Sequence, residues 1–186
     1  YVPGPRTIFR HVHKLPPAHA LTADSAGVRL ERYWHPTFRL KPVPRFEEAA
    51  EHLRHLMEDS VRLRLLSEVP LGAFLSGGID SCVVVGLMSR AMGQPVKTFT
   101  VGFSGEGWYD ESLEAESVSR HFGTDHHTLS LASPHLPDCL EQAVQALDEP
   151  MADPASIPTY LLSRHARDWV TVALTGEGAD ELFGGY

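Results

Sequence analysis

Leu75-Ser76-Gly77-Gly78-Ile79-Asp80-Ser81 is the stretch on which the fold turns. Before it, the apolar run Val69-Pro70-Leu71-Gly72-Ala73-Phe74-Leu75 reads as a buried strand. After it, Ser81 to Arg90, with Cys82, Val84, Val85, Leu87 and Met88 apolar, reads as a helix. Between the two, Gly77 and Gly78 put no Cβ in the way of a close ligand. The helix start adds unpaired N–H groups and the positive end of its dipole. A strand–turn–helix of this kind holds phosphate. Asp80 is out of place beside phosphate unless a divalent cation lies between them. Mg²⁺ is bound in that way, by one or two carboxylates plus phosphate oxygens. On these residues alone, an ordinary turn with a capping Asp stays open as the other reading.

Working outward, the chain alternates strands and helices. Pro95 to Phe103 reads as a second buried strand, followed by a loop from Ser104 to Asp110. A helix follows with Leu113, Ser117, Val118 and Phe122 inward, ended by Gly123. His126 to Leu131 is a third strand and Pro134 to Leu147 a helix. The proline-bearing segment from Asp148 to Pro158 reads as a shaped loop, Thr159 to Asp168 as a helix, and Val170 to Leu174 as a fourth strand. Strands without polar alternation, separated by helices, predict an α/β fold with a parallel sheet flanked by helices on both faces. Ligands of such sheets bind at the carboxyl ends of the strands. A second loop of unusual composition leaves from there: Thr175-Gly176-Glu177-Gly178-Ala179-Asp180-Glu181. Its glycines suit close approach to a nucleotide, and its acids suit a metal. Asp80 and Asp180, one from each loop, are expected to clamp Mg²⁺ around one polyphosphate.

Upstream, the pattern changes. Thr7 to Val12, Ala20 to Thr22 and Val28 to Trp34 are short alternating runs broken by Pro16-Pro17 and Asp24-Ser25-Ala26-Gly27, and they predict hairpin-like strands. Pro36, Pro42 and Pro44 mark residues 36–45 as a linker. From Phe46, the residues Phe46, Ala50, Leu53, Met57, Val61 and Leu65 form one face of an amphipathic helix. Three segments are therefore expected: a strand-rich tail over 1–35, the linker 36–45, and a main domain over 46–186.

The 186 residues, 42% hydrophobic, can bury the core of one ordinary domain. The net charge of -8 argues against a broad nucleic-acid footprint. No apolar run is long enough for a membrane span, and the start lacks the pattern of a secretory signal. Two cysteines, Cys82 and Cys139, form no disulfide framework and fit a reducing cytoplasm. His11-x-His13, His52-x-x-His55 and His126-His127 lack a Cys or carboxylate to complete a tetrahedral set, so zinc is not expected. Both ends read as cut, and a fragment is expected.

The turn Ser76-Gly77-Gly78-Ile79-Asp80-Ser81 resembles the pyrophosphate loop of the N-type ATP pyrophosphatases, which share an adenine nucleotide alpha-hydrolase-like fold. Together with Thr175 to Tyr186, Tyr109-Asp110-Glu111-Ser112 and Asp148-Glu149-Pro150 through Tyr160, it is similar to the glutamine-hydrolysing asparagine synthetases. Thr7-Ile8-Phe9, Lys14-Leu15-Pro16-Pro17 and Arg32-Tyr33-Trp34 resemble the end of that family's Ntn-type glutaminase domain. The resemblance implies amidation of aspartate to asparagine at the expense of ATP, through β-aspartyl-AMP, with ammonia taken from glutamine. It implies that Ser76, Gly77, Gly78, Asp80 and Ser81 hold the pyrophosphate portion of ATP, and that Asp80 and Asp180 reach it through Mg²⁺. Leu75 and Val101 would line the adenine pocket, Thr175 and Gly176 would contact the nucleotide, and Glu177 would assist the attack of ammonia. The partners implied are small molecules (ATP, aspartate, glutamine or ammonia), with a homodimer possible in the full-length protein.

Three departures stand out. Residue 1 is Tyr where the family has its nucleophilic Cys, Ala18 stands where the family often has Gly, and Thr175 replaces the commoner Ser. The family's later catalytic lysine is expected beyond Tyr186, so this polypeptide alone is expected to be inactive. Two rival readings remain. One is an amidotransferase or β-lactam-forming relative acting on another carboxylate, and the other is a non-catalytic nucleotide-binding module.

Overall fold

An antiparallel hairpin opens the chain. β1 (His19–Asp24) pairs with β2 (Gly27–Arg32) from His19↔Arg32 to Asp24↔Gly27. The turn between them is held by the Ala26 N–H, which donates to Asp24 Oδ1 at 2.8 Å. The computed structural model describes residues 2–38, 44–104, 110–132, 139–147, 149 and 151–185. The strand expected over Thr7 to Val12 does not form. Thr7 Oγ1 accepts the Phe9 N–H at 3.1 Å and donates to the Val12 carbonyl at 2.8 Å, which folds the segment into turns. Only the isolated bridge Arg6↔His13 remains of the alternating pattern. A local hydroxyl bond has outcompeted the ladder. Ala18 adopts φ +58°, a left-handed conformation that glycine reaches at lower cost. Lys14 Nζ ties this region to the rest of the chain through Glu149 at 2.5 Å.

α1 (Phe46–Arg64) carries Glu47 and Glu48 in its first turn and Arg62 and Arg64 in its last, matching the helix dipole. Of its expected apolar face, Val61 is buried, Met57 and Leu65 are half-buried, and Phe46 stays 81% exposed. The reason is where it packs: α1 meets α2 (Ile79–Ala91), and Val61 and Leu65 join the core there.

The sheet comprises β3 (Leu71–Phe74), β4 (Lys97–Ser104), β5 (Asp125–Ala132) and β6 (Val172–Leu174), in the order β5-β4-β3-β6, with every pairing parallel. α3 (Ser112–Phe122), α4 (Leu140–Ala146), α5 (Ser156–Ala166) and α6 (Ala179–Phe183) complete the elements. Ala73 and Leu75 pack with Val61, Val85, Met88, Val96 and Ala115, the side of α1, α2 and α3. Phe74 and Phe99 pack with Leu162, Ala166, Val170 and Trp169, the side of α5. Phe99 stacks on His127 at 5.3 Å between ring centroids, and His127 lies 4.4 Å from Trp169. This is the expected doubly covered parallel sheet.

Some boundaries and faces differ from the sequence reading. In α3 the buried residues are Ala115 and Ser119, with Val118 and Phe122 beside them, whereas Leu113 is 72% exposed. Small side chains let this helix come close to its neighbours: an ideal Cβ on Gly86 of α2 would sit 2.8 Å from Phe122 Cζ. α5 begins at Ser156, ahead of the expected Thr159, with Pro158 in its first turn. A proline there is harmless, because that N–H has no intrahelical partner in any case. Residues 39–43 of the expected linker, 105–109 of the loop after β4, residue 133 and 134–138 of the helix expected from Pro134 to Leu147, and Asp148 and Pro150 lie outside the described residues. Among the described residues no helix is long and apolar enough to cross a membrane.

The strand order matters most for function. From β3 the chain steps to β4 and then β5 on one side, but β6 arrives on the other side of β3. The crevice between the carboxyl ends of β3 and β6 is therefore the topological switch point, where open α/β sheets bind ligands.

Candidate functional site at the switch point

Both glycine-bearing turns leave from that crevice. In the first, the Ser76 N–H donates to Ser81 Oγ at 3.1 Å, the two serine hydroxyls lie 2.9 Å apart, and the Gly78 N–H donates to Ser76 Oγ at 3.1 Å. Leu75, at the strand end, donates its N–H to the Phe99 carbonyl at 2.9 Å. Gly78 is the N-cap of α2, and no side chain caps that helix. The N–H groups of its first turn thus remain for a ligand. In the second turn, the Glu177 N–H reaches Thr175 Oγ1 at 3.4 Å, and Gly178, at φ +93°, leads into α6.

The two turns touch. An ideal Cβ on Gly176 would lie 2.8 Å from Ser81 N and 2.9 Å from Asp80 Cβ, so only glycine lets the backbones meet this closely. Around this contact lies a cavity of about 490 Å³, within the usual range for small-ligand sites. Leu75, Ser76, Gly78, Asp80, Ser81, Val101, Thr175, Gly176, Glu177 and Asp180 all line it. Gly77 does not; its N–H donates instead to Glu111 Oε2 at 3.2 Å.

Glu111 had no assigned role in the sequence reading, although it sits in the quoted Asp110-Glu111-Ser112 stretch. Its position follows from Asp110, whose Oδ1 accepts the Ser112 N–H at 3.1 Å and so fixes the start of α3. The side-chain bond from Ser112, with its backbone N–H, holds the Asp110 carboxyl below the usual range. Phe103, Thr159 and Glu181 also line the cavity and were likewise not singled out. An acid at a helix start, opening just after a strand, was the available signal for Glu111. Cys82 is inert by comparison, since burial pushes its thiol up.

Among the described residues the lining holds five carboxylates, on Asp80, Glu111, Glu177, Asp180 and Glu181, and no basic side chain. Five carboxylates would repel a polyphosphate unless a divalent cation offset the charge. Among the described residues no three His, Cys, Asp or Glu side chains cluster as a metal cage. The donor set fits Mg²⁺, which is held by one or two carboxylates with the substrate supplying further oxygens.

The sheet order, the switch-point cavity and the paired glycine turns define a parallel α/β protein with a cavity at the strand carboxyl ends. Residues 52–186 match the model of the asparagine synthase family. Glutamine-hydrolyzing asparagine synthetase 1 of Bacillus subtilis is 37% identical over 188 residues, covering 100% of this chain and 29% of its own length. Glutamine-hydrolyzing asparagine synthetase 3 of the same organism is 34% identical, covering 96% of this chain and 31% of its own. The chain belongs to the asparagine synthase family. It spans about a third of the length of the curated relatives it matches (29–36%). Among solved structures, an NH3-dependent NAD synthetase from Campylobacter jejuni superposes with a TM-score of 0.49 at 17% identity, over 73% of this chain and 60% of that one.

Proposed function

We propose that this chain supplies the ATP site of an asparagine synthetase, which amidates aspartate at the expense of ATP with ammonia from glutamine. The observation that carries the reading is the contact of the two glycine turns at Gly176 and Asp80, which gathers backbone donors and acids around one cavity. In the first half-reaction, the side-chain carboxylate of aspartate attacks the α-phosphorus of ATP. The α–β bridging P–O bond breaks, giving β-aspartyl-AMP and pyrophosphate. Ser76, Ser81 and the free N–H groups at the start of α2 orient the leaving pyrophosphate and stabilise its growing charge. Leu75 and Val101 give the adenine ring an apolar wall, and Thr175 and Gly176 hold the nucleotide against the second turn. Asp80 and Asp180 are the residues that would hold Mg²⁺, which when bound neutralises phosphate charge. In the second half-reaction, ammonia attacks the acyl carbon and the C–O bond to AMP breaks. Glu177, which lines the cavity, would take the proton that the new amide nitrogen must lose. Residues 1–35 are, on the same reading, the tail of a glutaminase domain, and 36–45 the linker from it.

The test uses the full-length protein with Mg·ATP and ammonia or glutamine, following AMP, pyrophosphate and asparagine. Aspartate-dependent release of all three in equal amounts is expected, and Glu177→Ala should abolish asparagine formation while ATP binding persists. Release dependent on a different carboxylate would refute the choice of aspartate. Unchanged turnover in Glu177→Ala would remove that residue from the mechanism.

A further inference from the structure

In the first turn none of the three leading amides is idle. Ser76 N–H and Gly78 N–H are taken by hydroxyls of the turn itself, at 3.1 Å each. The Gly77 N–H is different, because its acceptor is a charged carboxylate, Glu111 Oε2 at 3.2 Å, brought from the start of α3. The backbone there is closely fitted. An ideal Cβ on Gly77 would lie 2.6 Å from Glu114 Cβ, and one on Gly102 would lie 3.2 Å from Asp110 Oδ1. With Asp110 also fixing the Ser112 N–H, the main chain of Glu111 is held in place. Its side chain is exposed and faces the cavity. Gly77 is accordingly the one residue of the turn from Leu75 to Gly78 that presents no surface to the cavity.

We propose that Glu111 is a competing anion of the pyrophosphate turn: its carboxylate accepts the Gly77 N–H and must be displaced for a polyphosphate to take that donor. The inference rests on the polyphosphate reading of the cavity and adds a positioning residue to it. Two consequences follow from the chemistry. The carboxylate keeps the Gly77 N–H aimed and paired, so the turn holds its shape. During binding the same charge repels the incoming anion, so the site rejects bare polyphosphate and accepts it once a divalent cation has offset its charge. Coulomb repulsion over such short distances is strong in a partly enclosed cavity and is weakened when the ligand's net charge falls.

The discriminating variant is Glu111→Gln, which keeps the shape and an oxygen acceptor for the Gly77 N–H but removes the charge. Glu116→Gln is the control; it removes the same charge from the exposed Glu116–Arg120 pair on α3. Binding of inorganic pyrophosphate to the full-length protein is measured by calorimetry, with and without saturating Mg²⁺, alongside Mg·ATP. Without Mg²⁺, Glu111→Gln should bind pyrophosphate on the order of 5- to 50-fold more tightly than the unaltered protein. With Mg²⁺ that gap should shrink to about 3-fold or less, and Glu116→Gln should match the unaltered protein in both conditions. A merely structural Glu111 would shift melting but not the Mg²⁺ dependence of affinity. Equal affinities in Glu111→Gln and the unaltered protein overturn the proposal, as does weaker Mg·pyrophosphate binding in Glu111→Gln, which would make Glu111 a metal ligand. If the unaltered protein binds neither Mg·ATP nor pyrophosphate, the polyphosphate reading fails and this inference with it.

Discussion

Replacing Gly176 by Ala tests the claim that the two turns form one site through direct backbone contact. The added Cβ would sit 2.8 Å from Ser81 N, and ordinary contact begins near 3.4 Å, so the turns must part by about 0.6 Å. The obstacle is the main chain at Asp80 and Ser81, not the end of a flexible side chain, so a rotamer change cannot relieve it. Overpacking of this kind costs about 1–3 kcal/mol. For a chain of this size that corresponds to a fall of roughly 2–12 °C in Tm. Parting the turns also separates Asp80 from Thr175 and Glu177. A displacement of about 1 Å can cost on the order of 100-fold in rate, and about 10-fold weaker Mg·ATP binding is the scaled expectation. Differential scanning calorimetry and a nucleotide titration on the same preparation measure both quantities. Gly93→Ala is the control, because nothing lies within 4 Å of its Cβ position. Wild-type melting together with wild-type affinity in Gly176→Ala would refute the reasoning, since the turns would then have had slack to give.

Two further predictions concern the scaffold. Phe99 is fully buried between His127, Trp169 and the apolar face of α5, so Phe99→Ala should destabilise by about 3–5 kcal/mol in chemical denaturation. A loss below about 1 kcal/mol would mean that this face is not a packed core. His126 donates to or accepts from Thr98 Oγ1 through Nδ1 at 2.8 Å, while its buried Nε2 has no hydrogen-bond partner among the described residues. Burial, then the neighbouring His127, holds its pKa below the ordinary histidine value, with Glu116 opposing. The unfolded chain therefore binds the proton more readily. The stabilising contribution is complete above the ordinary histidine pKa of about 6.5 and is lost as pH falls toward the depressed folded value. His126→Asn should flatten the pH dependence of Tm between about pH 5 and 7, and an unaltered slope would exclude His126 as its source.

Much of this architecture could be read from local pattern. β3 was legible as an apolar run, β4 as a buried strand and β5 as an alternating one, and their boundaries moved by a residue or two. Gly123 ends α3 at φ +66°, where its sequence position placed a helix stop. Where reading failed, the deciding interaction was one that periodicity does not carry. The alternation in Thr7 to Val12 was overridden by a single hydroxyl. Leu113 was read as inward, yet α3 packs closely through Ala115 and Ser119. Pro158 concealed the first turn of α5, since a proline reads as a break without knowledge of how many turns precede it. The cavity lining was largely legible because its residues cluster in two short turns. Glu111 was not, because its partner Gly77 is 34 residues away and only the packing of α3 against the turn brings them together.

The position of β6 beside β3 also bears on how the molecule comes into being on the ribosome. β3, β4 and β5 are neighbours in sequence and can pair as soon as they emerge, but the strand that closes the crevice follows β3 by roughly a hundred residues. Until it docks, Leu71, Gly72 and Ala73 present an open strand edge, the kind of surface that invites pairing with another chain. Contacts of such long sequence separation form late because loop closure must come first. The nascent chain therefore passes through a stage with the first glycine turn formed, a bare strand edge and the cavity at the switch point still open on one side. Aggregation in that interval, more than loss of catalytic groups, is the hazard that mutations in Val172, Ala173 and Leu174 would increase.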